Sequence, residues 1–206
     1  MTKDALIEEL ISEQALKSPN IIQAFHKVDR ADFVPAGLLA QAYENYPLPI
    51  GLGQTISQPY TVAFMLELLE PKAGEKILEI GAGSGWQTAL LAYLVGSQGR
   101  IFGIERVKEL KTLAEKNLSR YPVLQRTSTL MHGDGSLGHP QESPFDKIIA
   151  AAAGQTIPPA WKAQLKAGGR IVAPVKDSIV VIDKISENQF KETEHYGFAF
   201  VPLIKD

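Results

Sequence analysis

Cysteine is absent from this sequence of 206 residues, which excludes disulfide bonds and thiolate metal sites. The histidines form no closely spaced ligand pair, so we expect no metal. An excess charge is also lacking, because 21 Lys and Arg against 23 Asp and Glu give −2, which argues against a nucleic acid partner. No run approaches about 18 uncharged apolar residues. The amino terminus lacks a signal-peptide core, so we expect a cytoplasmic protein without membrane segments.

A strand, a glycine turn, a helix and a second strand follow one another between Lys76 and Glu105. The strands are short apolar runs, and the helix is dense in Leu and Ala, which favour helix formation. The predicted elements are a strand over 76–80, a turn with Gly81, Gly83 and Gly85, a helix over 86–95 and a strand over 101–104 that ends on Glu105.

This turn has the chemistry of a site for a nucleoside cofactor. Glycines let a ligand approach the backbone, and the free N–H groups of the helix start favour a carboxylate or phosphate. Glu105 lies about 20 residues beyond Gly85, where an acid can accept hydrogen bonds from both ribose hydroxyls. Trp86 stands where the dinucleotide fingerprint has its last glycine. The spacing E-x-G-x-G-x-G is instead similar to the S-adenosylmethionine site of class I methyltransferases, so a dehydrogenase is disfavoured.

Helices and strands alternate along the rest of the chain. Two helices come first, and a loop rich in turn-forming residues occupies 31–58. Two late apolar runs, 179–185 and 198–203, are predicted as strands, and the polar stretch Ser186 to Tyr196 between them as a surface turn or hairpin. The pattern predicts an α/β fold with a doubly wound, mostly parallel sheet, N-terminal helices and an antiparallel C-terminal edge. We expect one domain over 1–206, in which 1–58 form a cap.

Two polar residues each have two interpretations. Ser57 is either the N-cap of the helix that begins near Pro59 or part of an anion pocket with Thr55, and spacing alone favours the cap. Asp134 lies either where ligands bind in doubly wound sheets or in an ordinary Asp-Gly turn with Gly135.

The chain resembles the protein-L-isoaspartate O-methyltransferases over roughly Ile7 to Leu203. Similar motifs are V-D-R and F-V-P within 28–35, P-L-P-I-G and G-Q-T-I-S-Q-P within 47–59, L-E-I-G and G-S-G within 78–85, G-D-G at 133–135 and F-V-P-L at 200–203. The glycine motif is shared with many methyltransferases, whereas T-I-S-Q-P and F-V-P-L are more specific and favour the pocket role of Ser57. Trp86 departs from the family's usual tyrosine, which leaves fine substrate preference open.

The resemblance implies a Rossmann-like class I methyltransferase that repairs proteins. The methyl group of S-adenosylmethionine passes to the free carboxylate of L-isoaspartyl residues in damaged proteins and peptides, and the ester then closes to a succinimide. A monomer is expected. Ser57 and Thr55 occupy the catalytic positions. The implied cofactor-binding residues are Glu79, Gly81, Gly83, Ser84, Gly85, Glu105, Asp134 and Gly135, and the implied substrate-binding residues are Ile56, Val201 and Leu203.

Two other functions stay open. A class I methyltransferase acting on a small-molecule carboxylate or another acceptor would share the glycine turn, and its activity on free small acids would identify it. A module that binds the cofactor without catalysis would transfer no methyl group, although the intact T-I-S-Q-P loop argues against this.

We expect Ser57→Ala to lower turnover about 10²-fold without unfolding the protein, the loss typical of one positioning hydrogen-bond donor. A carboxylate with a pKa near about 4 is already ionised at neutral pH, so it needs orientation rather than a base. Methyl transfer to an isoaspartyl peptide measures the loss, and circular dichroism checks the fold. Wild-type turnover in this variant would remove Ser57 from the mechanism.

Overall fold

The computed structural model describes residues 1–204, which form helices packed on a central sheet. The strands are β1 Leu48–Gly51, β2 Gln54–Ile56, β3 Lys76–Ile80, β4 Arg100–Glu105, β5 Ser128–His132, β6 Phe145–Ala150, β7 Leu165–Val175, β8 Ser178–Ser186 and β9 Gln189–Tyr196. The α-helices are α1 Lys3–Ser12, α2 Pro19–Lys27, α3 Pro59–Leu69, α4 Trp86–Val95, α5 Lys108–Leu118, α6 Pro122–Thr127 and α7 Pro159–Gln164.

Seven strands form one sheet in the order β5-β4-β3-β6-β7-β8-β9. The strands from β5 to β7 pair in parallel, and β8 and β9 continue the sheet in antiparallel pairing. The predicted fold class, including the antiparallel C-terminal edge, is therefore confirmed.

Alternate side chains of the central strands point to opposite faces of the sheet, as the period of two requires. On one face Ile77, Ile101 and Ile149 pack with the N-terminal helices and α4 in one cluster. On the other face, Leu78 and Phe102 pack in a second cluster that includes Trp161 of α7. None of the helices in residues 1–204 is both long and apolar enough to cross a membrane.

The assignment of the last strand from sequence was wrong. Residues 198–203 form no strand, and the polar stretch before them is the edge strand β9. Backbone pairing to β8 does not require apolar side chains, so a charged segment can occupy a solvated edge. Phe198, in the run mistaken for a strand, is held by a side-chain contact instead: its ring stacks on Phe64 with 5.1 Å between centroids.

The loop predicted over 31–58 contains short regular pieces. Two 3-10 turns, Arg30–Phe33 and Ala36–Gln41, come first, and the hairpin of β1 and β2 follows. The hairpin ends one residue before Ser57, so it delivers the T-I-S-Q-P segment to the start of α3. Gly168 and Gly169 lie within an irregular part of β7.

Gly85 determines how closely the start of α4 approaches α5. Its φ is +87°, which L side chains rarely adopt, and it immediately precedes the helix. A Cβ atom at this position would lie 3.2 Å from the backbone of Ala114 in α5. Both the conformation and the space therefore require glycine.

We expect Gly85→Ala to lower the free energy of unfolding by about 1–3 kcal/mol through backbone strain. Gly37→Ala is the matched control, because no atom lies within 4 Å of a Cβ there and its φ is not positive. That control should change stability by no more than about 0.5 kcal/mol. Urea denaturation measures both, and equal stability of the two variants would contradict the packing role of Gly85.

Candidate active site

One cavity of about 400 Å³ lies at the carboxyl ends of β3 and β4. Most of its lining residues come from five segments: 54–58, 80–84, 104–107, 151–152 and 199–204. Parallel strands end at a common edge of the sheet, so the loops that leave them converge there. The volume is within the range of small-molecule sites.

The glycine turn forms the floor of the cavity. Gly81 and Gly83 have φ values of +84° and +54°, which let the chain reverse between β3 and α4. The Gly83 amide donates to Glu105 Oε2 at 2.8 Å, which ties the turn to the end of β4. Ser84 also lines the cavity, and its carbonyl accepts a hydrogen bond from Asn117 Nδ2 at 2.9 Å.

Glu105 is only 6% exposed, and backbone hydrogen bonds hold its carboxylate in place. Its second oxygen, Oε1, accepts a hydrogen bond from the Val107 amide at 2.9 Å. Each carboxylate oxygen thus binds one backbone amide and keeps further acceptor capacity. A fixed pair of acceptors in the cavity wall suits two adjacent hydroxyl donors such as those of a ribose.

Three residues assigned to the cofactor do not line the cavity but support it. Glu79 is fully buried behind the turn, where Thr88 Oγ1 donates to it at 2.5 Å and Gln87 Nε2 at 3.2 Å. Gly85 sets the start of α4. Asp134 accepts hydrogen bonds from the amide and hydroxyl of Ser136 at 2.8 and 3.0 Å and begins a 3-10 turn.

Gly135 does line the cavity, and helix α7 holds it in place. The buried Trp161 donates its indole N–H to the Gly135 carbonyl at 2.9 Å. A Cβ atom at Gly135 would lie only 2.4 Å from Ile80 Cγ2, so glycine brings this turn close to the end of β3. The two residues of the Asp-Gly pair therefore differ in role.

Residues 54–58, which include Thr55 and Ser57, form another wall of the cavity. Ser57 is half-buried and Thr55 is exposed, and within residues 1–204 neither hydroxyl has a hydrogen-bond partner. The interpretation of Ser57 as a helix cap is wrong, because Gln58 occupies the N-cap position of α3. The Tyr60 amide in the first turn is bound instead by Asn45 Oδ1 at 3.0 Å. Both hydroxyls are thus available to a ligand.

Apolar side chains complete the cavity. Ile56 is 3% exposed, and Val201 and Leu203 belong to the segment 199–204, which lines the cavity. Two backbone hydrogen bonds of 2.8 Å hold that segment, one from the Ala153 amide to the Val201 carbonyl and one from the Leu203 amide to the Ala153 carbonyl. The lining residues missed by sequence reasoning include Thr61, Gln87 and Arg106.

Within residues 1–204, no group of three acidic or histidine side chains is arranged so that it could hold a metal ion.

The sequence profile of the family described as protein-L-isoaspartate(D-aspartate) O-methyltransferase matches residues 1–206. The chain belongs to this family.

Relatives from distant organisms agree with this membership of the isoaspartate methyltransferase family. The protein-L-isoaspartate O-methyltransferase of Methanopyrus kandleri is 41% identical over 206 residues, which cover 98% of this chain and 91% of the relative. That of Ignicoccus hospitalis is 44% identical over 213 residues, which cover 99% and 98%. The similarity therefore extends over the N-terminal residues 1–58, the sheet and the C-terminal segment.

A solved structure has the same fold. A Plasmodium falciparum protein, assigned as a protein-L-isoaspartate O-methyltransferase and crystallised with S-adenosyl-L-homocysteine, superposes with a TM-score of 0.90. The match covers the whole of both chains at 22% identity, a level that supports the fold alone.

Glu79 should give this family member a distinctive pH dependence. Burial raises the pKa of Glu79 from 4.5 to about 7. The unfolded chain loses this proton near pH 4.5 and the folded chain near pH 7, so the free energy of unfolding falls by about 3 kcal/mol as pH rises through that window. We expect Glu79→Gln to lack this fall, and to gain stability relative to wild type between pH 4.5 and 7.

Urea denaturation at several pH values measures this difference. Glu8→Gln, at an exposed position of α1, is the matched control and should follow the wild-type curve. If Glu79→Gln and wild type showed the same pH dependence, Glu79 would not be the group that titrates.

Proposed function

We propose that this protein transfers the methyl group of S-adenosylmethionine to the free carboxylate of L-isoaspartyl residues in damaged proteins and peptides. The observation that carries the proposal is one cavity that combines the glycine turn and Glu105 with two unpartnered hydroxyls. Membership of the isoaspartate methyltransferase family over the full chain supports the same conclusion.

The residues of the cavity fit this cofactor. Glu105 offers fixed acceptors for ribose hydroxyls, and Gly81 and Gly83 leave the floor free of side chains. Ser84 and Gly135 complete that half of the wall, with Glu79, Gly85 and Asp134 as supports. S-adenosylmethionine, when bound, supplies a methyl group on a positively charged sulfur.

The hydroxyls of Thr55 and Ser57 hold the acceptor. Each can donate a hydrogen bond to one oxygen of an isoaspartyl carboxylate, which fixes the direction of the other oxygen. Within residues 1–204 no lysine lines the cavity, and Arg106 is the one basic residue in its lining. Ile56, Val201 and Leu203 exclude water, which strengthens the attraction between opposite charges. These residues contribute alignment and desolvation rather than proton transfer.

We also propose that the chain acts as one domain, with 1–58 as a cap on the cofactor half. Contacts of Asn45 with the first turn of α3 support this arrangement, because they join the cap to the helix behind the cavity. A cytoplasmic monomer without nucleic acid partners is part of the proposal, and the balanced charge of the chain supports the last point.

The decisive experiment compares two peptides that differ only in one isoaspartyl or aspartyl residue. With labelled S-adenosylmethionine, we expect at least about 10²-fold preference for the isoaspartyl peptide, since the two carboxylates differ in position by one methylene and a shaped site discriminates on that scale. Equal labelling of both, or transfer to free small acids alone, would contradict the proposed substrate. Cofactor binding without any transfer would indicate a module that has lost catalysis.

A further inference from the structure

Arg30 is the most fully buried arginine side chain near the cavity, at 2% exposed. It begins the 3-10 turn that follows Asp29, and the Asp29 carboxylate accepts a hydrogen bond from the Ala31 amide at 3.0 Å. No carboxylate in residues 1–204 forms an ion pair with it. Burying a cation without a counter-ion costs free energy, so hydrogen bonds from the Arg30 guanidinium must offset that cost.

The partners of the Arg30 guanidinium are backbone carbonyls from two separate segments. Nη1 donates to the carbonyls of Ala42 at 2.7 Å and Glu44 at 3.3 Å. Nη2 donates to the carbonyls of Tyr46 and Ser57, both at 3.1 Å. One rigid planar group thus joins the 42–46 turn to the catalytic loop.

Arg30 also contacts the cofactor half of the site. Its guanidinium carbon lies 5.4 Å from the centre of the Trp86 ring, within the range of a cation–π contact. Trp86 is the first residue of α4 and lines the cavity, whereas Arg30 does not line it. The guanidinium therefore lies behind the wall, between the loop with the hydroxyls and the helix that follows the glycine turn.

Lysine cannot reproduce these contacts. An ammonium group has three donors on one atom, whereas the guanidinium presents donors in a fixed fork that can serve carbonyls on different segments. The pKa of Arg30 is lowered to about 10 by burial, so the group stays charged at neutral pH. A change to lysine keeps a basic side chain at this position but removes the fork that reaches the Ser57 carbonyl.

We propose that Arg30 is a positioning residue, which directs the Ser57 hydroxyl into the cavity by holding the Ser57 carbonyl against the 42–46 turn. This inference rests on the proposed function, because it assigns Ser57 the task of orienting the acceptor carboxylate. A loop with a free carbonyl would let that hydroxyl sample several directions, and misplacement by about 1 Å is enough to lower the rate markedly.

The test uses Arg30→Lys in the full chain, with Arg120→Lys as the matched control. Arg120 anchors the same cap from outside, where its Nη1 contacts the Asp32 carboxylate at 3.0 Å and its side chain is 51% exposed. We expect Arg30→Lys to lower kcat for the isoaspartyl peptide by about 10- to 10²-fold. The KM and the cofactor Kd should change by less than about threefold, because Arg30 does not line the cavity.

Hydrogen exchange gives a second, activity-independent readout. The amides of 54–58 should exchange faster in Arg30→Lys than in wild type, while those of β3 and β4 should not. Rates are normalised to the stoichiometry of cofactor binding, so that a smaller folded fraction is not counted as slower catalysis. Arg30→Met, which removes both the fork and the buried charge, should show the same loss of kcat.

Unchanged kcat and unchanged exchange at 54–58 in Arg30→Lys would overturn the proposal. Failure of both Arg30 variants to fold would overturn it as well, since Arg30 would then serve overall stability. A wild-type protein that binds cofactor but methylates no isoaspartyl peptide would instead refute the proposed function, and the exchange data would still show whether Arg30 holds the loop.

Discussion

The parallel pairing of β3 with β4 and β6 is the constraint on which the site depends. Ile80 at the end of β3 is in register with Ile104 and with Ala150, so the chain leaves these strands at one level. The glycine turn, the loop after Glu105 and residues 151–152 therefore become neighbours through the backbone, and the hydrogen bond from the Gly83 amide to the Glu105 carboxylate adds one side-chain contact. The cofactor half of the cavity follows from backbone geometry.

The substrate half is attached by a different kind of interaction. The T-I-S-Q-P segment lies outside the seven-stranded sheet, and polar contacts with Arg30 and Asn45 help to position it. Arg30 donates to the Ser57 carbonyl, Asn45 Oδ1 accepts from the Tyr60 amide in the first turn of α3, and the Gln58 side chain donates through Nε2 to the Asn45 carbonyl. The strands of the sheet thus position the cofactor half of the cavity, whereas hydrogen bonds between side chains and the backbone position the substrate half.

The cofactor half of the cavity could be predicted from sequence patterns, whereas the substrate half could not. Glu105 could be assigned because a strand, a helix and a second strand set its distance from the glycines. Ser57 required a resemblance, because an irregular loop has no periodicity to read. The run 198–203 was misassigned because apolar residues over a cavity have the same pattern as a buried strand. The contacts of Arg30 could not be predicted from the sequence, because its partners are backbone carbonyls, which every residue has whatever its side chain.

The polar composition of β9 has a consequence for an enzyme whose substrates are damaged proteins. A strand at the border of a sheet presents unpaired N–H and C=O groups to any extended polypeptide. Damaged proteins supply such polypeptides, and an apolar border would recruit them as an additional strand far from the cavity. Lys191, Glu192 and Glu194 make this border highly charged and solvated, so aggregation with its own clients is disfavoured.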